Sequence, residues 1–314
     1  MPQSGEEGGK FLIVDPMQDP EEVARFGVAF IDGLQSEGVL ATAKHFPGHG
    51  DTHVDSHRSL PVLDVDRARL ESVELIPFRA AIDAEVASVM IGHLAVPAVD
   101  PTPAGTRAVA ESLRENPYAT HEGELTKNGA VPATLSKVII EDMLRGDLGF
   151  KGLVVSDAFD MGGLVAHYEP GEAAVLGILA GEDQILKSPN IDRAIAAVKE
   201  AVQSGRIPES RIDESVQRIL DAKSRVSFAV GTQEDVFRVL DSQQHRDKSD
   251  EIATRALTLL REEPGLLPIA KGQSVVILTV SDFDEVGNPL PAFAREMNKR
   301  LENVAPAVLL DSRS

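Results

Sequence analysis

The densest group of residues able to do chemistry is a loop that holds four of the eight histidines. They recur at every fourth residue, a spacing that on a helix would align their rings as in some zinc sites: His45, His49, His53 and His57. Pro47, Gly48 and Gly50 interrupt this stretch and disfavour a continuous helix. The spacing is therefore interpreted as incidental, and no metal site is predicted. A phosphate-binding loop is also disfavoured, because the known glycine orders are absent and two acidic residues would repel phosphate.

General acid/base chemistry fits this loop better. An imidazole has an unperturbed pKa near ~6.5, so it can both give and take a proton near neutral pH. Asp55 lies two residues before His57, where it can orient the ring and raise its basicity. The alternative is that both side chains are ordinary solvated loop residues, and the spacing alone does not decide between the two.

A second candidate is Asp157, which follows the hydrophobic run Leu153-Val154-Val155. In α/β barrels, catalytic groups lie at the carboxyl ends of the strands, and a carboxylate there can attack an anomeric carbon. The alternative is that Asp157 caps the helix that follows. Position alone leaves both interpretations open.

The elements that must position these residues alternate between short apolar runs and amphipathic stretches. This alternation is typical of βα units and predicts an α/β fold with a parallel sheet. Strands are predicted at 39–43, 87–91, 152–157 and 184–186, with 11–14 as a possible fifth. Helices are predicted at 21–37, 66–83 with a kink near Pro77, from Ser136 onward, and at 170–180, 190–203 and about 212–220.

Composition restricts the possible partners. The net charge of −19 argues against nucleic acid and against an anionic membrane surface. No run of apolar residues is long enough for a transmembrane helix, and the polar N-terminus lacks a signal-peptide pattern, so a cytoplasmic location is expected. Cysteine is absent, which excludes disulfides, zinc–thiolate sites and thiol nucleophiles. With no Trp and only two Tyr, a sugar substrate would occupy a small pocket.

Several stretches together resemble family 3 glycoside hydrolases, in particular the bacterial β-N-acetylglucosaminidase (β-N-acetylhexosaminidase) branch. The resemblance covers roughly residues 19 to 280. The motifs that carry it are KHFPGHGDTHVDSH at 44–57, VMIGHLAVPAVD at 89–100, PATLSKVIIEDMLRGDLGFKGLVVSDAFDM at 132–161 and ATRALTLLREEPGLLPI at 253–269.

The resemblance implies a (β/α)8 barrel followed by an α/β sandwich domain. It also implies that Asp157 is the nucleophile of a retaining exo-glycosidase, that His57 is the general acid/base, and that Asp55 tunes it. Lys44 and His45 match a pair that hydrogen-bonds sugar hydroxyls. The implied substrate is a small carbohydrate with terminal β-linked N-acetylglucosamine, often from cell-wall peptidoglycan, and no cofactor or metal is implied.

The chain also departs from the family pattern. Four or five predicted strands fall short of the eight of a closed barrel, and Val14-Asp15-Pro16-Met17 stands where the family has an Arg-Ser-Phe-Gly turn. Residues 104–131 are interpreted as an insertion. We therefore expect an incomplete barrel over 1–224, a linker over 225–250 and the start of a sandwich domain over 251–314, with truncation at both ends. The alternative function is a catalytically inactive remnant that acts as a sugar-binding or assembly module.

Overall fold

The computed structural model describes residues 19–52, 56, 59–105, 129–226, 231–240, 242–257, 269, 273–281, 297, 299–301 and 303–311. The chain divides into two compact units, Met1–Ala229 and Val230–Ser314. The possible strand at 11–14 lies outside the described residues, as does most of the predicted insertion. Within the described part, no helix is both long enough and apolar enough to cross a lipid bilayer.

The first unit contains a sheet of four parallel strands in the order β1-β2-β3-β4. Their bounds are β1 Thr42–Phe46, β2 Ser88–Ile91, β3 Leu153–Ala158 and β4 Gln184–Leu186. The predicted parallel α/β class is confirmed. In the register, Ser88 pairs with Leu153 and Ile91 with Ser156, so β2 and β3 end side by side.

The first strand begins later than predicted. The predicted strand 39–43 begins at Val39, but this residue is 51% exposed after the turn at Gly38. The buried positions are Ala41, Ala43 and Phe46 instead. The shift matters for the site, because it moves Lys44 and His45 out of the predicted loop and into β1.

Apart from one short helix at 162–165, which was not predicted, the helices of the first unit follow the predicted order. They are α1 Pro20–Ser36, α2 Leu75–Asp83, α3 Gly162–Val165, α4 Pro170–Ala180, α5 Ile191–Gln203 and α6 Glu209–Ser224. Wide π-type turns form Leu70–Glu74, after a short helical turn at Arg67–Arg69, and also Val138–Asp147.

Two features of the helices bear on the predictions. Pro77, where a kink was expected, lies three residues after the π-type turns Leu70–Glu74, which continue directly into α2, so its missing N–H removes a donor from the helical bonding pattern. The irregularity falls in the π-type turns before it. In α1, the apolar side chains of Phe26 and Phe30 are 72% and 45% exposed, and the buried residues are Val23, Ala24, Gly27 and Ile31.

The core lies between the sheet and these helices and is formed by aliphatic and aromatic side chains. Its fully buried members include Phe46, Leu63, Leu70, Val89, Ile91, Leu94, Ile139, Ile140, Leu144 and Val154.

A buried carboxylate joins α6 to the sheet. Asp183 precedes β4, and its side chain is completely inaccessible to solvent. One oxygen accepts from Arg145 at 2.8 Å and from the Val154 amide at 3.0 Å. The other accepts from Ser215 at 2.7 Å and from Arg218 at 3.0 Å, both on α6. This network fixes the amino-terminal half of β3, whose carboxyl end carries Asp157.

The second unit contains α7 Gln233–Leu240, α8 Gln243–Ala256 and the parallel pair β5 Ser274–Ser281 and β6 Asn303–Asp311. The predicted linker over 225–250 thus includes all of α7 and part of α8. Side-chain hydrogen bonds at their amino-terminal ends stabilise these helices in a polar stretch. Ser242 accepts from the His245 amide, and Thr232 accepts from the Asp235 amide. The domain boundaries given above remain predictions.

Candidate active site

The polar residues of the site come from the carboxyl ends of three neighbouring strands. His45 lies in β1, His93 follows β2 after Gly92, and Asp157 lies near the end of β3. Because carboxyl ends of parallel strands meet at one edge, residues far apart in the sequence converge here. Asp157 is 8% exposed, so its carboxylate is largely enclosed but keeps some contact with solvent.

The Asp157 carboxylate is held by two different contacts. The Ala158 amide donates to Oδ1 at 2.8 Å. The Nε2 atom of His45 lies 3.6 Å from Oδ2. One oxygen is therefore bonded to the backbone, while the other faces an imidazole.

His45 is a neutral imidazole at neutral pH. Burial lowers its pKa from 6.5 to about 4, an effect that the negative charge of Asp157 only partly offsets and that Lys44 reinforces. The contact with Asp157 is therefore not an ion pair at neutral pH, although the two groups are close enough to be one. A neutral ring can donate from one nitrogen and accept at the other, which suits hydrogen bonding to sugar hydroxyls.

The start of the histidine loop is packed against the π-type turns. Gly48 has φ +137, and a Cβ there would meet the Cβ of Glu74 at 2.7 Å. Glu74 is buried, which raises its pKa, and it accepts from Arg69 at 3.1 Å. Arg69 also reaches Asp51 at 3.4 Å. The loop between β1 and residue 52 is thus fixed by close backbone approach and by a shared arginine.

His49 lies in this fixed part of the loop. Its Nδ1 is 2.8 Å from the Thr52 hydroxyl, and its ring centroid is 5.9 Å from that of His45 in an edge-on arrangement. No group of three His, Cys, Asp or Glu side chains that could hold a metal occurs among the residues that the structure describes. His53 and His57 lie outside the described residues.

The predicted site residues divide into two sets. Lys44, His45 and Asp157 are described, and the structure brings His45 and Asp157 together. Lys44 is half-buried in β1. Asp55 and His57 lie outside the described residues, so their roles remain predictions.

Sequence reasoning missed His93 as a residue of the site. Its side chain is fully buried, with Nε2 at 2.8 Å from the Ala158 carbonyl and Nδ1 at 2.9 Å from the Thr134 hydroxyl. The available signal was its position two residues after the predicted strand 87–91. A polar residue at that point of a parallel sheet belongs to the same edge as the catalytic candidates.

An ion pair involves the residue three positions after Asp157. Asp160, in the turn after β3, accepts from Lys187 at 3.1 Å. Lys187 follows β4 and has a positive φ of 51. This contact ties the turn after β3 to the turn after β4, and both side chains keep some solvent exposure.

Most of the first unit resembles a known protein family. Residues 17–222 match the Glycosyl hydrolase family 3 N terminal domain. The chain is 31% identical over 280 residues to a beta-N-acetylglucosaminidase/beta-glucosidase of Cellulomonas fimi, covering 88% of this chain and 46% of that protein. It is 30% identical over 275 residues to beta-hexosaminidase A of Pseudoalteromonas piscicida, covering 84% and 43%.

The similarity to family 3 proteins extends to the fold of solved structures. A family 3 beta-N-acetylglucosaminidase from Paenibacillus sp. superposes with a TM-score of 0.74 at 35% identity, covering 93% of this chain and 52% of that one. The predicted barrel-type α/β fold is confirmed. The chain spans about half the length of the relatives that it matches.

Proposed function

Because the chain belongs to glycosyl hydrolase family 3, we propose that it carries the catalytic centre of a retaining exo-β-glycosidase. The proposed substrate ends in β-linked N-acetylglucosamine, with peptidoglycan fragments as its source. The names of the relatives support this substrate, since beta-N-acetylglucosaminidase and beta-hexosaminidase recur among them.

The observation that carries the proposal is the placement of Asp157. Its carboxylate lies at the carboxyl end of a barrel-type strand, enclosed but reachable, with Oδ1 held by the Ala158 amide. The alternative considered from the sequence was that Asp157 caps the following helix. None of the described contacts of its side chain is such a cap. The next helix along the chain, α3, has Met161 at its cap position, and no side chain of the described residues makes a cap bond there.

In the proposed reaction, Asp157 attacks the anomeric carbon and forms a glycosyl ester. His57, as imidazolium, protonates the leaving oxygen, with Asp55 stabilising its positive charge. The neutral imidazole then takes a proton from water, which attacks the ester and releases the sugar. Two inversions at the same carbon retain its configuration.

Lys44 and His45 are proposed to hold the sugar. The ammonium of Lys44 donates to ring hydroxyls, and the neutral His45 donates or accepts according to the hydroxyl it meets. A neutral His45 has a second consequence, because it leaves the negative charge of Asp157 less compensated than an imidazolium would. The carboxylate thereby keeps its nucleophilic character.

The test is hydrolysis of a chromogenic N-acetyl-β-glucosaminide by the purified, monodisperse chain. We expect turnover with retained anomeric configuration. Proton NMR of the first product identifies the configuration. Inverted product would contradict the proposal. Folded protein that binds N-acetylglucosamine without turnover would instead support the alternative of a sugar-binding remnant, which the coverage of about half of each relative motivates.

A further inference from the structure

His93 is a buried histidine whose two ring nitrogens are both engaged. Its side chain is inaccessible to solvent, as is that of its partner Thr134. Nε2 lies 2.8 Å from the Ala158 carbonyl oxygen, and Nδ1 lies 2.9 Å from the Thr134 hydroxyl. The ring of Phe159 packs beside it, with centroids 5.7 Å apart. These contacts join β2, the turn at 133–135 and the end of β3.

The chemistry of the partners fixes the tautomer. A carbonyl oxygen can only accept, so Nε2 must carry the proton and donate to Ala158. In a neutral ring Nδ1 is then an acceptor, and the Thr134 hydroxyl can donate to it. A neutral imidazole therefore satisfies both contacts.

Ala158 connects this histidine to the nucleophile. Its carbonyl accepts from His93, while its amide donates to Oδ1 of Asp157 at 2.8 Å. A change in the orientation of residue 158 would therefore alter both bonds. The other carboxylate oxygen faces His45.

We propose that His93 is a positioning residue for the nucleophile: through its bond to the Ala158 carbonyl it fixes the backbone that holds the Asp157 carboxylate. The inference rests on the proposed role of Asp157. His93 touches neither substrate nor reacting atoms in this account. Burial lowers the pKa of His93, which agrees with a ring that stays neutral beside a carboxylate.

The test compares two substitutions of similar size. His93→Gln keeps an N–H that can reach the Ala158 carbonyl, whereas His93→Met keeps the volume and loses the donor. We expect His93→Met to lower kcat on the order of 10- to 100-fold with KM nearly unchanged, because a small misplacement of a reacting group has effects of that size. We expect His93→Gln to restore most of kcat.

Ser88→Ala is the matched control. Ser88 is a buried residue of β2, and within the part of the chain that the structure describes its hydroxyl has no hydrogen-bond partner. Its removal should leave kcat and KM unchanged. Equal kcat for the Met variant and the native chain would overturn the proposal, as would an equal loss in the Met and Gln variants while both remain folded.

A second readout does not depend on turnover. In the native chain, ¹⁵N NMR should show His93 with its proton on Nε2, and hydrogen exchange should show a protected Ala158 amide. His93→Met should speed that exchange and His93→Gln should not. A proton on Nδ1, or unchanged exchange in a folded Met variant, would overturn the proposal even if the chain were inactive. An inactive chain with the expected NMR result would count only against the proposed function.

Discussion

Nε2 of His45 on β1 lies 3.6 Å from Oδ2 of Asp157 on β3, with β2 between the two strands in the sheet. The pair brings a sugar-binding candidate and the nucleophile candidate to one point. Since burial lowers the pKa of His45 to about 4, the pair consists of a neutral ring and a carboxylate over the neutral range. Protonation of His45 is therefore linked to the stability of the fold.

We predict that acid destabilises the protein partly through His45. The unfolded imidazole binds a proton below about pH 6.5, whereas the folded one does so only near pH 4, so stability is lost as the pH falls between these values. At pH 5 the loss is on the order of 2 kcal/mol. Urea unfolding at pH 7 and pH 5 should show a smaller difference for His45→Asn than for the native chain.

The control for that comparison is His245→Asn, because His245 is exposed on α8. This variant should keep the native difference between pH 7 and pH 5. An identical difference in the His45→Asn variant would show that His45 does not titrate as inferred. His93 and His167 also have lowered pKa values through burial, so a residual acid sensitivity is expected in every variant.

We predict that Asp157→Asn abolishes turnover. An amide cannot form the glycosyl ester, and losses for a nucleophile of this kind are about 10³- to 10⁶-fold in kcat. Initial rates with the chromogenic substrate measure the effect. Asp160→Asn is the matched control, since Asp160 lies three residues later and pairs with Lys187. A comparable loss in both variants would contradict a specific role for Asp157.

We predict that Glu182→Met stabilises the protein, and more so at high pH. Glu182 is fully buried, and neither of its carboxyl oxygens has a hydrogen-bond partner among the described residues. Burial and then Asp183 raise its pKa well above 4.5, against the opposing effects of Arg145 and Arg211. The native chain therefore loses stability as the pH rises from about 4.5, because the unfolded carboxyl ionises first.

Thermal unfolding from pH 4.5 to pH 8 tests this prediction. The gain in Tm from Glu182→Met should grow with pH, and the free-energy gain at pH 7 should be about 1–3 kcal/mol. Glu200→Gln, at an exposed position of α5, should change Tm little at any pH. A gain independent of pH would mean that Glu182 does not titrate differently in the folded state.

We predict that Asp183→Asn is strongly destabilising. The change leaves Arg145 and Arg218 facing a neutral amide in a buried network, which costs about 3–5 kcal/mol. Glu172→Gln removes the bidentate but exposed pair with Arg206, where the loss should stay below about 1 kcal/mol. Chemical denaturation of both variants gives the comparison, and similar losses would contradict the buried role of Asp183.

The sequence by itself determined the α/β class, the four strands of the first unit and the candidate residues. Short apolar runs at 87–91, 152–157 and 184–186 predicted β2, β3 and β4 closely, because buried parallel strands need such runs. The motif at 44–57 was specific enough to indicate the family. Asp157 was a candidate because a carboxylate at the end of a buried strand occupies the position that catalytic groups take in α/β barrels.

Only the tertiary structure decided which of these residues meet. The proximity of His45 and Asp157 depends on strand order and on the shift of β1, and no local pattern encodes either. The role of His93 depends on a carbonyl 65 positions away. The lowered pKa of His45 and the raised pKa of Glu182 arise from burial, which is set by packing between distant segments and cannot be read from neighbouring residues.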